Sequence, residues 1–269
     1  MSEWSRGALL PEIVRIATEA GKAILKVYEQ DFTVMTKEDA SPLTQADLAS
    51  HRIICDELGQ LTPGIPLISE ESADIPFDIR SDWDTYWLID PLDGTKEFVN
   101  RNGEFTVNIA LIRHNQPMLG VVHVPVSGVT YTGVTGKGAT RCDKGGKPVE
   151  IHVRLPCAEP MIVVGSRSHA NPALAGHLEK LGPHELVSMG SSLKFCLVAE
   201  GRADFYPRLG PTSEWDTAAA HAVVLAAGGR IVTLDGEPLA YNLKESFLNP
   251  EFLVIADDSV DWLAAFRDD

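Results

Sequence analysis

The residues most able to do chemistry are Asp90-Pro91-Leu92-Asp93-Gly94-Thr95. Two carboxylates stand three residues apart, a hydroxyl follows two residues later, and the apolar run Tyr86-Trp87-Leu88-Ile89 before them reads as a buried strand. Pro91 and Gly94 are expected to break that strand, so both acids leave its end together. Two negative charges about 4 Å apart repel by roughly 4 kcal/mol at an effective dielectric near 20. A hard divalent cation removes that repulsion, and Mg²⁺ favours a few carboxylates together with substrate phosphate. Taken alone, the same residues also suit an ordinary Asp-Pro and Asp-Gly turn, so the remaining acids must decide.

Three other acidic features qualify. Glu70-Glu71 follows Pro66-Leu67-Ile68 and can turn one glutamate inward, or form a solvated acidic loop. Asp47 ends Thr44-Gln45-Ala46-Asp47, a capping-box pattern that starts a helix near Thr44. Asp216 follows Trp215 and opens the Ala-rich segment Thr217-Ala218-Ala219-Ala220, where an N-cap is the plain structural role. Thr95 in turn suits the start of Lys96-Glu97-Phe98. Read by themselves, Lys194, Arg208 and His169 suit an ordinary surface lysine, a loop arginine and a turn residue. The eight histidines make no H-x-x-x-H pattern, Gly136-Lys137-Gly138 lacks Walker spacing, and no nucleophile elbow is present, so a covalent mechanism is not expected.

The elements that must position these residues can be read from periodicity. Leu10, Ile13, Ala17, Ile24 and Val27 predict a helix over 10–29, and Ile54 and Leu58 continue the inner face of a second. Strands are expected at 106–112, 119–124 and 129–134, separated by Asn115-Gln116-Pro117 and Val126-Ser127-Gly128. Residues 136–160 are rich in Gly, Pro and charge and read as a domain join. Beyond it, strands at 161–164, 204–206, 231–233 and 252–255 alternate with helices at 172–181, 192–200, 215–227 and 258–267, the third stopped by Gly228-Gly229. The expected organisation is an N-terminal helix-pair and antiparallel-sheet half, 1–158, followed by a C-terminal α/β half, 159–269.

Composition narrows the function classes. Among 269 residues, 38 acidic against 23 basic side chains give a net charge of −15, which argues against a nucleic-acid polymer as partner. A small anionic substrate would need local metal, Lys or Arg. With 44% hydrophobic residues the chain suits a globular domain, and it contains neither a membrane-spanning apolar run nor a signal-peptide layout. Cys55, Cys142, Cys157 and Cys196 form no C-x-x-C pair, so reduced thiols in the cytoplasm are expected.

As a set, Glu70-Glu71, Asp90-Pro91-Leu92-Asp93-Gly94-Thr95 and Trp215-Asp216-Thr217-Ala218-Ala219 resemble the inositol monophosphatase-like superfamily of metal-dependent, lithium-sensitive phosphatases. Lys96-Glu97-Phe98, Ser166-Arg167-Ser168-His169, Gly190-Ser191-Ser192-Leu193-Lys194-Phe195 and Tyr206-Pro207-Arg208 resemble its 3′(2′),5′-bisphosphate nucleotidase branch. The resemblance implies a mixed α+β or α/β fold, a layered αβαβα sandwich. It also implies hydrolysis of the 3′-phosphate of adenosine 3′,5′-bisphosphate to AMP by metal-activated water, with 3′-phosphoadenylyl sulfate as a further substrate of some relatives. Glu70, Asp90, Asp93, Asp216 and the Leu92 carbonyl then resemble ligands of two or three Mg²⁺ ions. Asp47, Thr95 and Glu70 resemble the groups that position and activate the water. Substrate contacts would fall on Glu70, Leu92, Asp93, Gly94, Thr95, His169, Ser191, Lys194, Arg208 and Asp216. A homodimer and peripheral attachment at the inner membrane are compatible with the resemblance. Competing expectations are an inositol-1-phosphatase or sugar bisphosphatase on the same scaffold, and a non-catalytic nucleotide or metal sensor.

Overall fold

Alternation of apolar side chains along the strands divides the interior into layers. In the computed structural model, which describes residues 6–30, 42–167 and 172–266, strand β2 (Thr85–Asp93) turns Trp87 and Ile89 to one side and Tyr86 and Leu88 to the other. Trp87 and Ile89 meet helices α1 (Arg6–Tyr28) and α2 (Pro42–Leu61). Tyr86 and Leu88 meet α6 (Leu193–Ala199) and α7 (Glu214–Ala226). Those two helices are covered in turn by a second sheet, whose far face packs Val163, Phe205, Leu253 and Ile255 on α5 (Pro172–Leu181) and Trp262. The result is the expected helix–sheet–helix–sheet–helix sandwich.

The first sheet runs β1 (Leu67–Ser69), β2, β3 (Thr106–Arg113), β4 (Gln116–Val124), β5 (Val129–Val134), β6 (Gly138–Cys142) and β7 (Val149–Ile151) in chain order. Only the β1–β2 pair is parallel. The second sheet contains β8 (Met161–Ser166), β9 (His184–Met189), β10 (Phe205–Arg208), β11 (Arg230–Thr233) and β12 (Phe252–Ile255), ordered β11-β12-β10-β8-β9. No helix among the described residues is long and apolar enough to cross a membrane.

Several sequence expectations are corrected. Helix α2 starts at Pro42, so Thr44 lies within its first turn and the capping-box reading fails; proline suits that turn because its missing N–H has no helical partner there. Strand β2 does not stop at Pro91 but continues to Asp93 through a register irregularity between Asp90 and Asp93, where a residue without an N–H leaves no ladder bond unmade. Gln116 and Pro117 belong to β4, because the hairpin turns earlier, at His114 and Asn115, both with positive φ. The stretch 136–160 contains β6 and β7, and its last part, 152–160, runs from the first sheet to the second. Strand β9 was not anticipated; it is a sheet edge with Glu185 to Ser188 exposed, so burial imposes no alternation. The closing helix is reduced to a 3₁₀ turn at Trp262–Phe266.

The placement of α7 depends on two glycines that pair across β4 and β5, Gly120 and Gly133. A Cβ on Gly120 would overlap the Ala219 carbonyl oxygen and lie 2.8 Å from the Ala222 Cβ; on Gly133 it would lie 2.5 Å from the Ala222 carbonyl oxygen. Helix backbone is rigid there, so a methyl must push α7 off the sheet. Gly120→Ala should therefore destabilise the protein by about 1–3 kcal/mol, the usual range for overpacking. Gly176→Ala, at a helical position with open space around it, should be neutral or stabilising. Chemical denaturation of both variants checks this; equal stabilities would contradict the close approach.

Candidate active site

The irregular end of β2 delivers Asp90, Leu92 and Asp93, and the second half of the chain delivers Asp216. Ser213 caps α7, and Asp216, three residues on, accepts the Ser213 N–H at 2.9 Å through Oδ2. Asp216 is therefore the reciprocal member of a capping box, not the N-cap itself. Asp90, Asp93 and Asp216 each offer an oxygen within 4.8 Å of the others. The parallel register Ser69↔Ile89 places Glu70 beside Asp90, with which it shares a hydrogen bond. Glu70 opens a 3₁₀ turn, Glu70–Ser72.

Mutual repulsion and burial outweigh the help that Arg208 gives Asp216. Burial first, then the charges of Glu70, Asp93, Asp216 and Asp47, hold the Asp90 carboxyl well above its ordinary range. Burial and Asp93 push Asp216 up to about 7. Glu70 is raised too, by desolvation, then by Glu71 and Asp93 against the hydrogen bond to Asp90. Glu70 touches water, yet the surrounding wall withdraws enough solvent for desolvation to lead. Asp47 is pushed up to about 8 by burial, then by Glu71 and Glu70, and its Oδ1 is buried with no hydrogen-bond partner. No hydrogen bond links Asp47 to Thr95 among the described residues, and Asp47 is not among the residues that line the cleft. Glu71 is exposed.

The acids line a cleft of about 1040 Å³, walled by Glu70, Asp90, Leu92, Asp93, Gly94 and Thr95 from the first half and Ser191, Lys194, Arg208 and Asp216 from the second. Gly94 has φ 99° and precedes the five-residue helix α4 (Thr95–Val99); a Cβ there would crowd Phe105 and Ser191. Lys194 is buried, so the surface-lysine reading is excluded; its Nζ donates to the Ser191 carbonyl at 2.5 Å and lies 5.6 Å from the Tyr206 ring centre. Burial draws its pKa down to about 8. Arg208 donates to the Gly210 carbonyl (3.0 Å) and the Pro211 carbonyl (2.6 Å). The Ser191 hydroxyl donates to Asp93 Oδ2 at 2.5 Å. His169 lies outside the described residues. Its neighbour Arg167 grips Glu104 with two bonds of 2.8 Å, and Glu104 also accepts the Gly190 N–H.

Sequence reasoning missed Thr106, buried opposite Asp93, Asn108, buried opposite Asp90, Ser192, whose buried N–H reaches Asp93, and Glu214, buried and bonded through both oxygens to the Asn242 N–H. A signal existed for the first two. Polar Thr106 and Asn108 interrupt a buried run at alternate positions, so both fall on one face of β3.

The model of the inositol monophosphatase family matches residues 8–259. A 3′(2′),5′-bisphosphate nucleotidase CysQ of Escherichia coli O6:H1 is 52% identical over 249 residues, 91% of this chain and 99% of that one. The crystal structure of CysQ from Bacteroides thetaiotaomicron, described as a bacterial member of the inositol monophosphatase family, superimposes with a TM-score of 0.79 at 46% identity, covering 90% of this chain and 94% of the other. Inositol monophosphatase II of Staphylococcus aureus shares the fold with a TM-score of 0.78 at 24% identity, covering 97% of this chain and 98% of that one.

Proposed function

The chain belongs to the inositol monophosphatase family, and from that premise we propose that it hydrolyses the 3′-phosphate of adenosine 3′,5′-bisphosphate to give AMP and phosphate. One observation carries the reading: one cleft is lined both by three clustered carboxylates and by two cationic side chains, Lys194 and Arg208. A substrate with two phosphates matches that polarity.

The donor set fits a hard divalent ion. Asp90, Asp93 and Asp216 converge, and all their donors are oxygen. With Glu70 and the Leu92 carbonyl they would hold two or three Mg²⁺ ions, which when bound would supply positive charge to the transferring phosphoryl group and the leaving oxygen. The chain's own groups do the rest. Asp47 and Thr95 are assigned to position an attacking water, and Glu70 to assist them as a carboxylate beside Asp90. Backbone N–H groups of Gly94 and Thr95 at the start of α4 orient the reacting phosphate. Lys194 and Arg208 hold the second phosphate, and His169 is assigned to the base. 3′-Phosphoadenylyl sulfate carries the same 3′-phosphate and is a further candidate.

A substrate panel tests the proposal. With Mg²⁺, adenosine 3′,5′-bisphosphate should give the highest kcat/KM, and Li⁺ should inhibit. A higher kcat/KM for inositol-1-phosphate or a sugar bisphosphate would transfer the assignment to that reading. Tight nucleotide binding without turnover would favour a sensor.

Lys194→Ala supplies a second check. Losing a charge-assisted hydrogen bond is worth about 1.5–3 kcal/mol, so kcat/KM for the bisphosphate should fall by about 10- to 100-fold. Adenosine 3′-monophosphate, which lacks the second phosphate, should lose far less. Equal losses on both would remove Lys194 from the second phosphate.

A further inference from the structure

Asp93 is gripped from the opposite half of the molecule by a chain of hydroxyls. Its Oδ2 accepts the Ser192 N–H at 2.6 Å and the Ser191 hydroxyl at 2.5 Å. Ser191 Oγ lies 2.6 Å from Thr106 Oγ1, and Thr106 Oγ1 lies 2.9 Å from Ser192 Oγ. Both Thr106 and Ser192 touch Oδ1 of Asn108, at 3.1 and 2.9 Å, while the Asn108 Nδ2 is buried with no partner. Thr106 stands directly opposite Asp93 in the β2–β3 register. Ser191 has φ 53°, an uncommon conformation for a residue other than glycine, and these bonds hold it there.

Counting protons gives the chain a direction. Each hydroxyl has one proton to donate. Ser191 gives its proton to the carboxylate, so its oxygen must accept from Thr106. Thr106 has then no proton left for the Asn108 oxygen, and the two atoms would face each other as acceptors. Turning the Asn108 amide end for end resolves this, since its O and N are distinguished only by their partners. Nδ2 then donates to Thr106 and Ser192, Ser192 to Thr106, Thr106 to Ser191, and Ser191 to Asp93. Two stranded N–H donors are exchanged for one stranded carbonyl oxygen, which is the smaller penalty.

We infer that Asn108, Thr106, Ser192 and Ser191 form a one-way donor chain that fixes one oxygen of Asp93 and leaves the other to face the cation. This inference rests on Asp93 being a metal ligand. It makes the four residues positioning residues, with Ser191 acting on the substrate only through Asp93. Partners that orient a metal ligand commonly change metal affinity by about 10- to 100-fold when removed.

The test reads metal binding directly. Metal-stripped protein is titrated with Mg²⁺ by calorimetry, and phosphate release is measured separately. Thr106→Val keeps the side-chain shape and removes the hydroxyl; it should weaken Mg²⁺ by about tenfold, with the nucleotide KM at saturating Mg²⁺ changed less than about twofold. Thr106→Ser should restore the wild-type affinity. If Thr106→Val does not fold, Ser191→Ala at the cleft wall gives the same readout. Asn108→Asp tests the amide. If the amide donates, the new carboxylate draws the Thr106 and Ser192 protons to itself and Mg²⁺ binding weakens. If the amide oxygen already accepts, the bonds are unchanged and the added charge can only tighten binding. Unaltered Mg²⁺ affinity in the Thr106 and Ser191 variants, or a loss confined to nucleotide KM, overturns the chain. Unchanged or tighter binding in Asn108→Asp overturns its direction. Wild-type protein that binds Mg²⁺ but releases no phosphate would sink the nucleotidase reading alone, and wild-type protein that binds no Mg²⁺ would sink both.

Discussion

Asp93→Asn lowers kcat by about 10²–10³, the usual loss when an electrostatic catalytic group is removed, and leaves the fold intact or firmer. The two halves of this expectation have one cause. Asp93 raises the pKa values of Asp90, Asp216 and Glu70, so its charge opposes theirs in the metal-free protein. Asparagine relieves that repulsion and keeps an oxygen for Ser191 and Ser192. The proposed Mg²⁺ site, however, would lose a negative ligand. Steady-state kinetics over a Mg²⁺ series, paired with melting in EDTA, checks both. A variant with near-normal kcat at low Mg²⁺ removes Asp93 from the site, and a large fall in melting temperature in EDTA refutes the repulsion argument.

Metal removal gives the second large effect. EDTA should abolish turnover, and in EDTA the protein should lose stability as pH rises from about 6.5 to about 8. Asp47 and Asp216 have folded-state pKa values near 8 and 7, far above the ordinary 3.8. A raised pKa means that the folded state holds its protons longer than the unfolded chain. The associated stability is fully present below the unfolded pKa and is lost as pH rises through the folded one. At about 1.4 kcal/mol per unit, the loss between pH 6.5 and 8 is on the order of 2 kcal/mol. Buried His221 and His123 act oppositely but lower down. Their pKa values are drawn to about 3 and about 4 from 6.5, chiefly by burial, so their contribution is lost as pH falls below about 6.5. The window above 6.5 therefore excludes the histidines; within it Lys194, drawn down to about 8, offsets part of the loss, and Glu214, raised to about 7, adds to it. Saturating Mg²⁺ should raise the melting temperature more at pH 8 than at pH 6.5, because it takes the place of the missing protons. A flat profile in EDTA, or no stabilisation by Mg²⁺, would contradict the shared site.

Much of the fold was legible because its signals are local. The helical period of α1, the strand run before Asp90 and the Gly228-Gly229 stop each depend on residues within a few positions of one another. Strand β9 escaped because an exposed edge has no buried face to impose alternation, and the extension of β2 through Pro91 escaped because a register irregularity is a property of two strands together. Lys194 was ambiguous for a related reason. A lysine's burial is set by what packs over it, here the neighbourhood of Tyr206 and the Ser191 carbonyl.

The sequence by itself determined the chemistry on offer: which carboxylates exist, their order, and that a strand end and a helix start would present them. Only the tertiary structure decided that Asp90, Asp93 and Asp216 share one place, that the charge of Asp47 acts on Asp90, and that Asp93 is held by a serine 98 residues away. Residue types and periodicity are written along the chain. Distances between remote side chains are set by how closely layers can pack, as the glycines under α7 do for Asp216, and no local pattern encodes that approach.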